Sequence, residues 1–294
     1  VHWCDSEFQD ILSLWNLAIT ESISKNCLGW ASRDTSSVLL SYKINRRDTG
    51  PDKVSLTITY CGICYADVAW ANNIPRNTIY PGHEIVGIVK EVGSNVHRFK
   101  VGDHVGVGPY VNSCKTCEHC KIQEEVHCDV ETTHTFYPND EDGTITRGGY
   151  SSYIVVQEGY VFKIPDNYLL ISVAPLLCAG ISVYAPMMHH KMNEPGKSLG
   201  VIGLGNVIVK IMAWYFYSHL IWLIVSYVSL HSLARSLDFI IDTASRDHPY
   251  DPYMALLKPS GVFVLVGFPS EVKFNPMSLL AGTFFPLFSF SPKT

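Results

Sequence analysis

The stretch CKTCEHCKIQEEVHC places Cys114, Cys117, Cys120 and Cys128 at the spacing C-x2-C-x2-C-x7-C. Four thiolates make up the closed tetrahedral set that a structural zinc takes, and spacings this short let one loop wrap the ion without a hydrophobic core beneath it. A chain with this loop is constrained to fold around a metal in a compartment that keeps thiols reduced. Nine cysteines, an odd number with four of them in fifteen residues, argue against a disulfide framework. A closed site does no chemistry, so the lobe is structural, and His119 and His127 inside it are expected to be solvated bystanders.

The rest of the chain reads as two textures. From about Gly29, short alternating or β-branched runs are broken by glycine (VSLTITY, EIVGIVKEVG, VGDHVGVG, YSSYIVV), which predicts an all-β unit. After Pro175 come fully apolar runs, SLGVIGLG, LDFIIDT and GVFVLVGF, which predict buried parallel strands and a Rossmann-like α/β unit. With 47% hydrophobic and 17% charged residues, 294 residues suffice for two cores. We expect an atypical segment over 1–27, a zinc-binding catalytic domain over 28–178 and a partial nucleotide-binding domain over 179–294. Residues 211–230 carry no Asp, Glu, Lys or Arg and are long enough for a membrane span. Their setting, between a nucleotide loop and a buried strand, favours a distorted helix and strand instead.

Charge narrows the partners. A net charge of -5 with 22 basic residues and no long basic run excludes the electrostatic footprint of a nucleic-acid binder and leaves a small-molecule partner. Asp5, Glu7 and Asp10 stand where a signal peptide would be basic, which predicts a cytoplasmic protein. The start at Val1 suggests a fragment.

Two constellations carry chemistry. IGLGNVIVK opens like a dinucleotide phosphate loop with Gly203, Leu204 and Gly205, but Ile208 stands where the third glycine of G-x-G-x-x-G allows close helix–strand packing. Phosphate binding is expected to be weakened. Only 32 positions separate Gly205 from Asp238, the next acidic residue, so one βαβ unit of about thirty residues is expected to be missing where the adenosine ribose is read. The second constellation is dispersed: Cys64, His83 and Cys178 could supply the three ligands of a catalytic zinc with an open fourth position.

GHEIVGIVKEVGSNV, the four-cysteine loop, GGYSSYIVV, APLLCAGISVYAPM and GVIGLG follow one another as in the zinc-containing medium-chain dehydrogenase/reductase family, which the chain resembles over about 28–206 and 236–283. The likeness is closest to its plant cinnamyl-alcohol-dehydrogenase-like branch. It implies a GroES-like catalytic domain followed by a truncated, doubly wound Rossmann-like domain, two zinc ions per chain, NADP(H) as hydride carrier and a homodimer. Matched position by position, the resemblance makes Cys64, His83 and Cys178 the catalytic zinc ligands. It places Glu84 where a glutamate can approach the metal and Asp67 where a carboxylate orients the histidine. Cys61 is then a buried structural thiol, and Trp70 lines the pocket or packs in the core.

Departures from the family pattern shape the functional expectation. Where the family carries His and a relay Ser or Thr, this chain has Tyr65 and Ala66, so no relay hydroxyl stands at that position. Hydride addition to an iminium carbon needs no alkoxide protonation. CYADV, GWASRDTS and DTASRDHPYDPYM are similar to the branch that reduces strictosidine-aglycone-derived iminium species, of the tetrahydroalstonine- or heteroyohimbine-synthase type. The leading expectation is therefore an NADPH-dependent iminium or carbonyl reductase of plant alkaloid metabolism. The alternatives are a cinnamyl or related alcohol dehydrogenase and a non-catalytic zinc-binding remnant. YPGHE also closes up a connection that is longer in the family, which is expected to draw His83 off the metal, and the chain stops at Thr294, before the family's Rossmann domain is complete.

Overall fold

The computed structural model describes residues 26–32, 34, 36, 38–73, 80–136, 143–203, 221–224, 234–280 and 283–284. Residues 1–25, Leu204, Gly205 and Ile208, and all of 211–230 except one short strand lie outside the described residues.

The all-β part begins with a hairpin of β1 (Asn26–Ser32) and β2 (Leu39–Asn45), paired antiparallel. Strand β1 therefore starts two residues inside the segment expected to stand apart. Cys27 and Ala31 are buried, and Trp30 N donates to Tyr150 O at 2.8 Å, which ties the hairpin to the rest of the unit. The main sheet has the order β8-β3-β4-β5-β9 and is antiparallel throughout. Its strands are β3 (Lys53–Cys61), β4 (Ile85–Val92), β5 (His104–Val107), β8 (Tyr153–Gln157) and β9 (Phe162–Lys163). β6 (Tyr110–Ser113) and β7 (Thr132–His134) form a separate pair flanking the cysteine loop. Val54, Leu56, Ile58, Ile85, Val105, Ile154 and Val156 close on one another as its core. At about 1.5–3 kcal/mol for each large aliphatic side chain withdrawn from water, this cluster is the main reason the sheet closes.

Helix α1 (Tyr65–Asn73) follows β3, and the short α2 (Glu118–Lys121) sits in the cysteine loop. After β9, the turn α3 (Leu170–Val173) and a 3-10 turn (Ala174–Leu177) lead through Cys178 into α4 (Ala179–His189), the first helix of the α/β part.

That part is a parallel sheet of order β11-β10-β12-β13-β14, in which β10 (Ser198–Ile202) lies between β11 (Ile221–Ile224) and β12 (Leu237–Asp242), with β13 (Leu257–Leu265) and β14 (Thr283–Phe284) beyond. LDFIID is buried on both faces, as an inner parallel strand requires. Phe239 and Ile241 pack with Val183 and Met187 of α4 on one side, and Ile240 packs with Tyr250, Tyr253 and Phe263 on the other. α5 (Asp251–Met254) contributes Tyr253 and Met254 to that second face, and α6 (Pro276–Leu280) follows β13. The chain passes from β10 to β11 on one side and later to β12 on the other, so the strand order reverses at β10. Open α/β sheets bind ligands at such a switch point. Among the described residues a single strand, β11, lies on that side of β10, and no single helix is long and apolar enough to cross a membrane.

Candidate functional site

Three chain segments meet at the dispersed metal site. The end of β3 delivers Cys64 through the turn Gly62-Ile63, the residues just before β4 deliver His83 and Glu84, and the 3-10 turn ahead of α4 delivers Cys178. The ligand atoms of Cys64, His83, Glu84 and Cys178 all lie within 4.8 Å of one another. The shortened connection before YPGHE does not draw His83 away. Its imidazole Nδ1 is held at 3.0 Å by Asp67 Oδ1, and the backbone N–H of Gly82 donates to the same oxygen at 2.8 Å. With Nδ1 committed, Nε2 is the nitrogen left for a metal.

Asp67 is itself fixed from several sides. Cys64 N donates to Oδ2 at 3.1 Å and the Tyr150 hydroxyl at 3.3 Å, while Asp67 N returns a bond to Cys64 O at 3.1 Å. Burial works against its charge, but the His83 bond and the two backbone donors hold the carboxyl below its ordinary range. Tyr150 lies in the GGYSS motif, and sequence reasoning gave it no role; its only signal was membership of that motif. Two glycines are needed here. A Cβ at Gly62 would sit 2.0 Å from Glu84 Oε2, and Gly82 adopts φ +102° with its Cα packed on the backbone N–H groups of Gly149 and Tyr150.

The electrostatics are those of four closely spaced donors. A hydrogen bond from Cys178 draws the Cys64 thiol down to about 5, against the cost of burial, and His83 adds to this. Cys178, which keeps the shared proton, is pushed far up by that bond and by burial. His83 loses by burial but gains more from Asp67 and Cys64, and rises to about 10. Burial and the nearby Cys64 raise Glu84 to about 7. Two thiols, an imidazole and a carboxyl converging on one point fit a zinc ion with two sulfur ligands and one nitrogen, with the carboxylate at the edge. The Cys61 thiol is raised chiefly by burial and lies outside this cluster.

Aromatic rings wall one side. His83 lies 5.5 Å from the Phe136 ring, and Phe136 lies 5.4 Å from Trp70. Trp70 thus packs against the ring that backs the metal ligand. Tyr65 is exposed at the start of α1 and Ala66 follows it, so no aliphatic hydroxyl stands at that turn.

In the cysteine loop, Cys114 Sγ lies 3.8 Å from Cys120 Sγ, and Cys117 Sγ 3.9 Å from Cys128 Sγ. All four sulfurs fall in one cluster. Cys117 N and Cys120 N point at the sulfurs of Cys114 and Cys117, at 3.3 and 3.5 Å, which suits thiolates. Such backbone bonds, from Thr116 and Cys117, draw Cys114 down to about 6, whereas burial lifts Cys120 to about 12. His119 turns outward to Asp129 at 3.0 Å and His127 lies against its ring, so neither joins the sulfurs.

At the switch point of the parallel sheet, Gly203 follows β10 with φ +82°, and a Cβ there would meet Ala244 N and Thr243 Oγ1 at 2.9 Å. Val266 N and Gly267 N both reach Asp242 O, at 2.8 and 2.9 Å. The carboxyl ends of β10, β12 and β13 are thereby drawn together around Gly203. Asp238 sits at the opposite end of β12, bound to Ser198 and, at 2.8 Å, to Lys258 Nζ, so it takes no part in this crevice.

Comparison with known proteins agrees with this architecture. Residues 50–166 match the alcohol dehydrogenase GroES-like domain. The chain is 52% identical over 288 residues to a probable cinnamyl alcohol dehydrogenase of Oryza sativa subsp. japonica, covering 88% of this chain and 80% of that one. Among solved structures it superposes on a cinnamyl alcohol dehydrogenase from Sorghum bicolor with a TM-score of 0.81 and 36% identity, over 88% of this chain and 81% of the other. On CAD from Helicobacter pylori, complexed with NADP(H), the TM-score is 0.81 with 31% identity, over 89% and 83% of the two chains. The chain belongs to the zinc-type alcohol dehydrogenase family, among its cinnamyl-alcohol-dehydrogenase-like members. It is an oxidoreductase of that type, with a GroES-like unit and a Rossmann-like unit.

Proposed function

We propose that this protein is a zinc- and NADP(H)-dependent alcohol dehydrogenase that interconverts cinnamyl-type aromatic aldehydes and alcohols. The observation that carries the reading is the convergence of Cys64, His83, Glu84 and Cys178 beside the Phe136–Trp70 wall, in a chain half identical to a probable cinnamyl alcohol dehydrogenase. Cys64, His83 and Cys178 would hold the catalytic zinc with Glu84 at its edge, and Gly203, with Leu204 and Gly205 after it in sequence, would receive the nucleotide pyrophosphate. When bound, zinc held by those residues would supply Lewis-acid polarisation of a carbonyl oxygen, and the nicotinamide would supply the hydride. The chain's own residues do the positioning: Asp67 fixes the tautomer of His83, Tyr150 and Gly82 fix Asp67, and the aromatic rings exclude water from one side. Cys114, Cys117, Cys120 and Cys128 hold a second zinc that shapes the neighbouring loop. The same reading includes the homodimer implied by the resemblance.

Ala66 favours a second reading, reduction of an iminium carbon, because such a product needs no proton on oxygen. The test is direct: zinc-loaded protein is given NADPH with cinnamaldehyde or with a cyclic iminium, and NADPH consumption is followed. The proposal expects turnover of the aldehyde to exceed that of the iminium; the reverse order would replace it with the iminium reading, and consumption with neither would leave a zinc-binding remnant.

A further inference from the structure

Away from the metal sites, the end of β2 and the loop ahead of β8 enclose a polar cleft with a cavity of about 20 Å³, lined by Asn45, Arg46, Arg47, Thr144, Thr146 and Arg147. This volume exceeds the roughly 10–15 Å³ that one water needs. Three guanidinium-bearing residues in its wall are unusual for a net-negative chain, and two of them lack an acidic partner among the described residues. Arg46 Nη2 donates to Arg147 O and Gly148 O and to Ser151 Oγ, each at 2.8 Å, all neutral acceptors. Its Nε is shut from solvent and has no hydrogen-bond partner. Its charge is supported by a thiol, Cys27, which also hydrogen-bonds the side chain, and by a phenol, Tyr153. Arg147 lies over the Tyr80 ring at 5.2 Å, and its charge and that of Arg46 oppose each other. Arg47 Nη2 reaches Val155 O at 3.4 Å.

Buried guanidinium groups are ordinarily paired, because leaving such a charge uncompensated costs several kcal/mol. The Arg46 and Arg147 guanidiniums line one cleft, and guanidinium N–H groups are the donors best suited to oxyanions. We propose that the cleft between Arg46, Arg47 and Arg147 is a binding site for a small free oxyanion of the phosphate type. The anion offsets the Arg46–Arg147 repulsion. It also bears on the metal site. Arg46 grips the carbonyls of Arg147 and Gly148, and the next two residues pair with the loop that carries His83, Gly149 N to Gly82 O at 2.8 Å and Tyr150 N to Pro81 O at 3.1 Å.

The probe is inorganic phosphate, added to the zinc-loaded full chain at constant ionic strength with chloride as the replacement ion. Saturable heat of binding and a phosphate-dependent rise in melting temperature are expected. Arg147→Gln should weaken the binding about tenfold with the zinc content unchanged. Arg46→Lys should weaken it as well, but Arg46 also ties the loop, so Arg147→Gln, whose guanidinium bonds no backbone group here, keeps the test interpretable if that variant fails to fold. No saturable response beyond that to chloride would overturn the proposal. So would an affinity unchanged in Arg147→Gln, since phosphate would then be bound elsewhere, at the nucleotide loop for example.

Discussion

The weight of the metal site rests on one carboxylate. Asp67 accepts from Gly82 N, His83 Nδ1, Cys64 N and Tyr150 OH, so it fixes two ligand-bearing segments at once. Asp67→Asn keeps the shape but puts an amide donor against donors, and zinc affinity at the Cys64 site should fall roughly 10–100-fold, the usual range for loss of such a partner. A competition titration against a chromophoric chelator reads this, with the four-cysteine site as internal control. Tyr150→Phe should have a smaller effect in the same direction. The site's pH dependence follows from His83, which the Asp67 bond, opposing burial, lifts from its ordinary value of 6.5 to about 10. A raised histidine stabilises the metal-free fold fully below its unfolded value, and that contribution is lost as pH rises through about 10. Metal must displace this proton and that of Cys178, so zinc affinity rises with pH across the neutral range. The same chelator competition at about pH 6 and about pH 8 should show it; equal affinities would contradict the His83–Asp67 linkage. Gly62→Ala would drive a methyl group into Glu84 and is expected to shift that carboxyl and lower turnover, with the four-cysteine zinc retained.

At the scale of elements, what was legible depended on whether partners lie near one another in sequence. The cysteine loop was readable because its ligands are contiguous and its short α2 turns backbone N–H groups onto their sulfurs. Strands β3, β4, β10 and β12 were readable from alternation or from unbroken apolar runs. Gly62 and Tyr150 were not, because each acts through contact with a distant segment; Tyr150 and Asp67 are 83 positions apart. Cys64, His83 and Cys178 could be listed as metal-capable from sequence, but only the resemblance joined them. The expectation that the short YPGHE connection displaces His83 failed because Asp67 and the Gly82–Gly149 pairing, not the length of the preceding loop, set the position of that residue. The cysteine loop yields its own prediction. Cys120 is the buried member of the set, so Cys120→Ser should reduce zinc from two ions per chain to one and lower the melting temperature, since a structural site contributes its binding energy to folding. Metal analysis with a thermal melt measures both, and two ions retained would mean that the loop closes with three sulfurs.

For the whole molecule, function requires the β-rich unit that holds the metal to work with the parallel sheet that would hold the cofactor. The two meet in sequence at Cys178, the last member of the Cys64–His83–Glu84–Cys178 cluster, which is followed at once by α4 packing on β10 and β12. The sheet's switch point is intact at Gly203, whose φ of +82° and tight contact with Thr243 and Ala244 leave no space for a side chain. The rest of the phosphate loop departs from the three-glycine pattern, with Ile208 in the last place. Backbone N–H groups rather than side chains cradle a pyrophosphate, so the first turn matters more than the third glycine, which serves helix–strand packing. NADPH should therefore bind saturably to the zinc-loaded protein, though more weakly than to a complete fingerprint, and quench tryptophan fluorescence as it does. Gly203→Val should abolish the quenching while leaving both zinc ions in place. If the native chain shows no saturable quenching while its melt and zinc content are normal, the metal sites have persisted in a fold that no longer takes its hydride carrier.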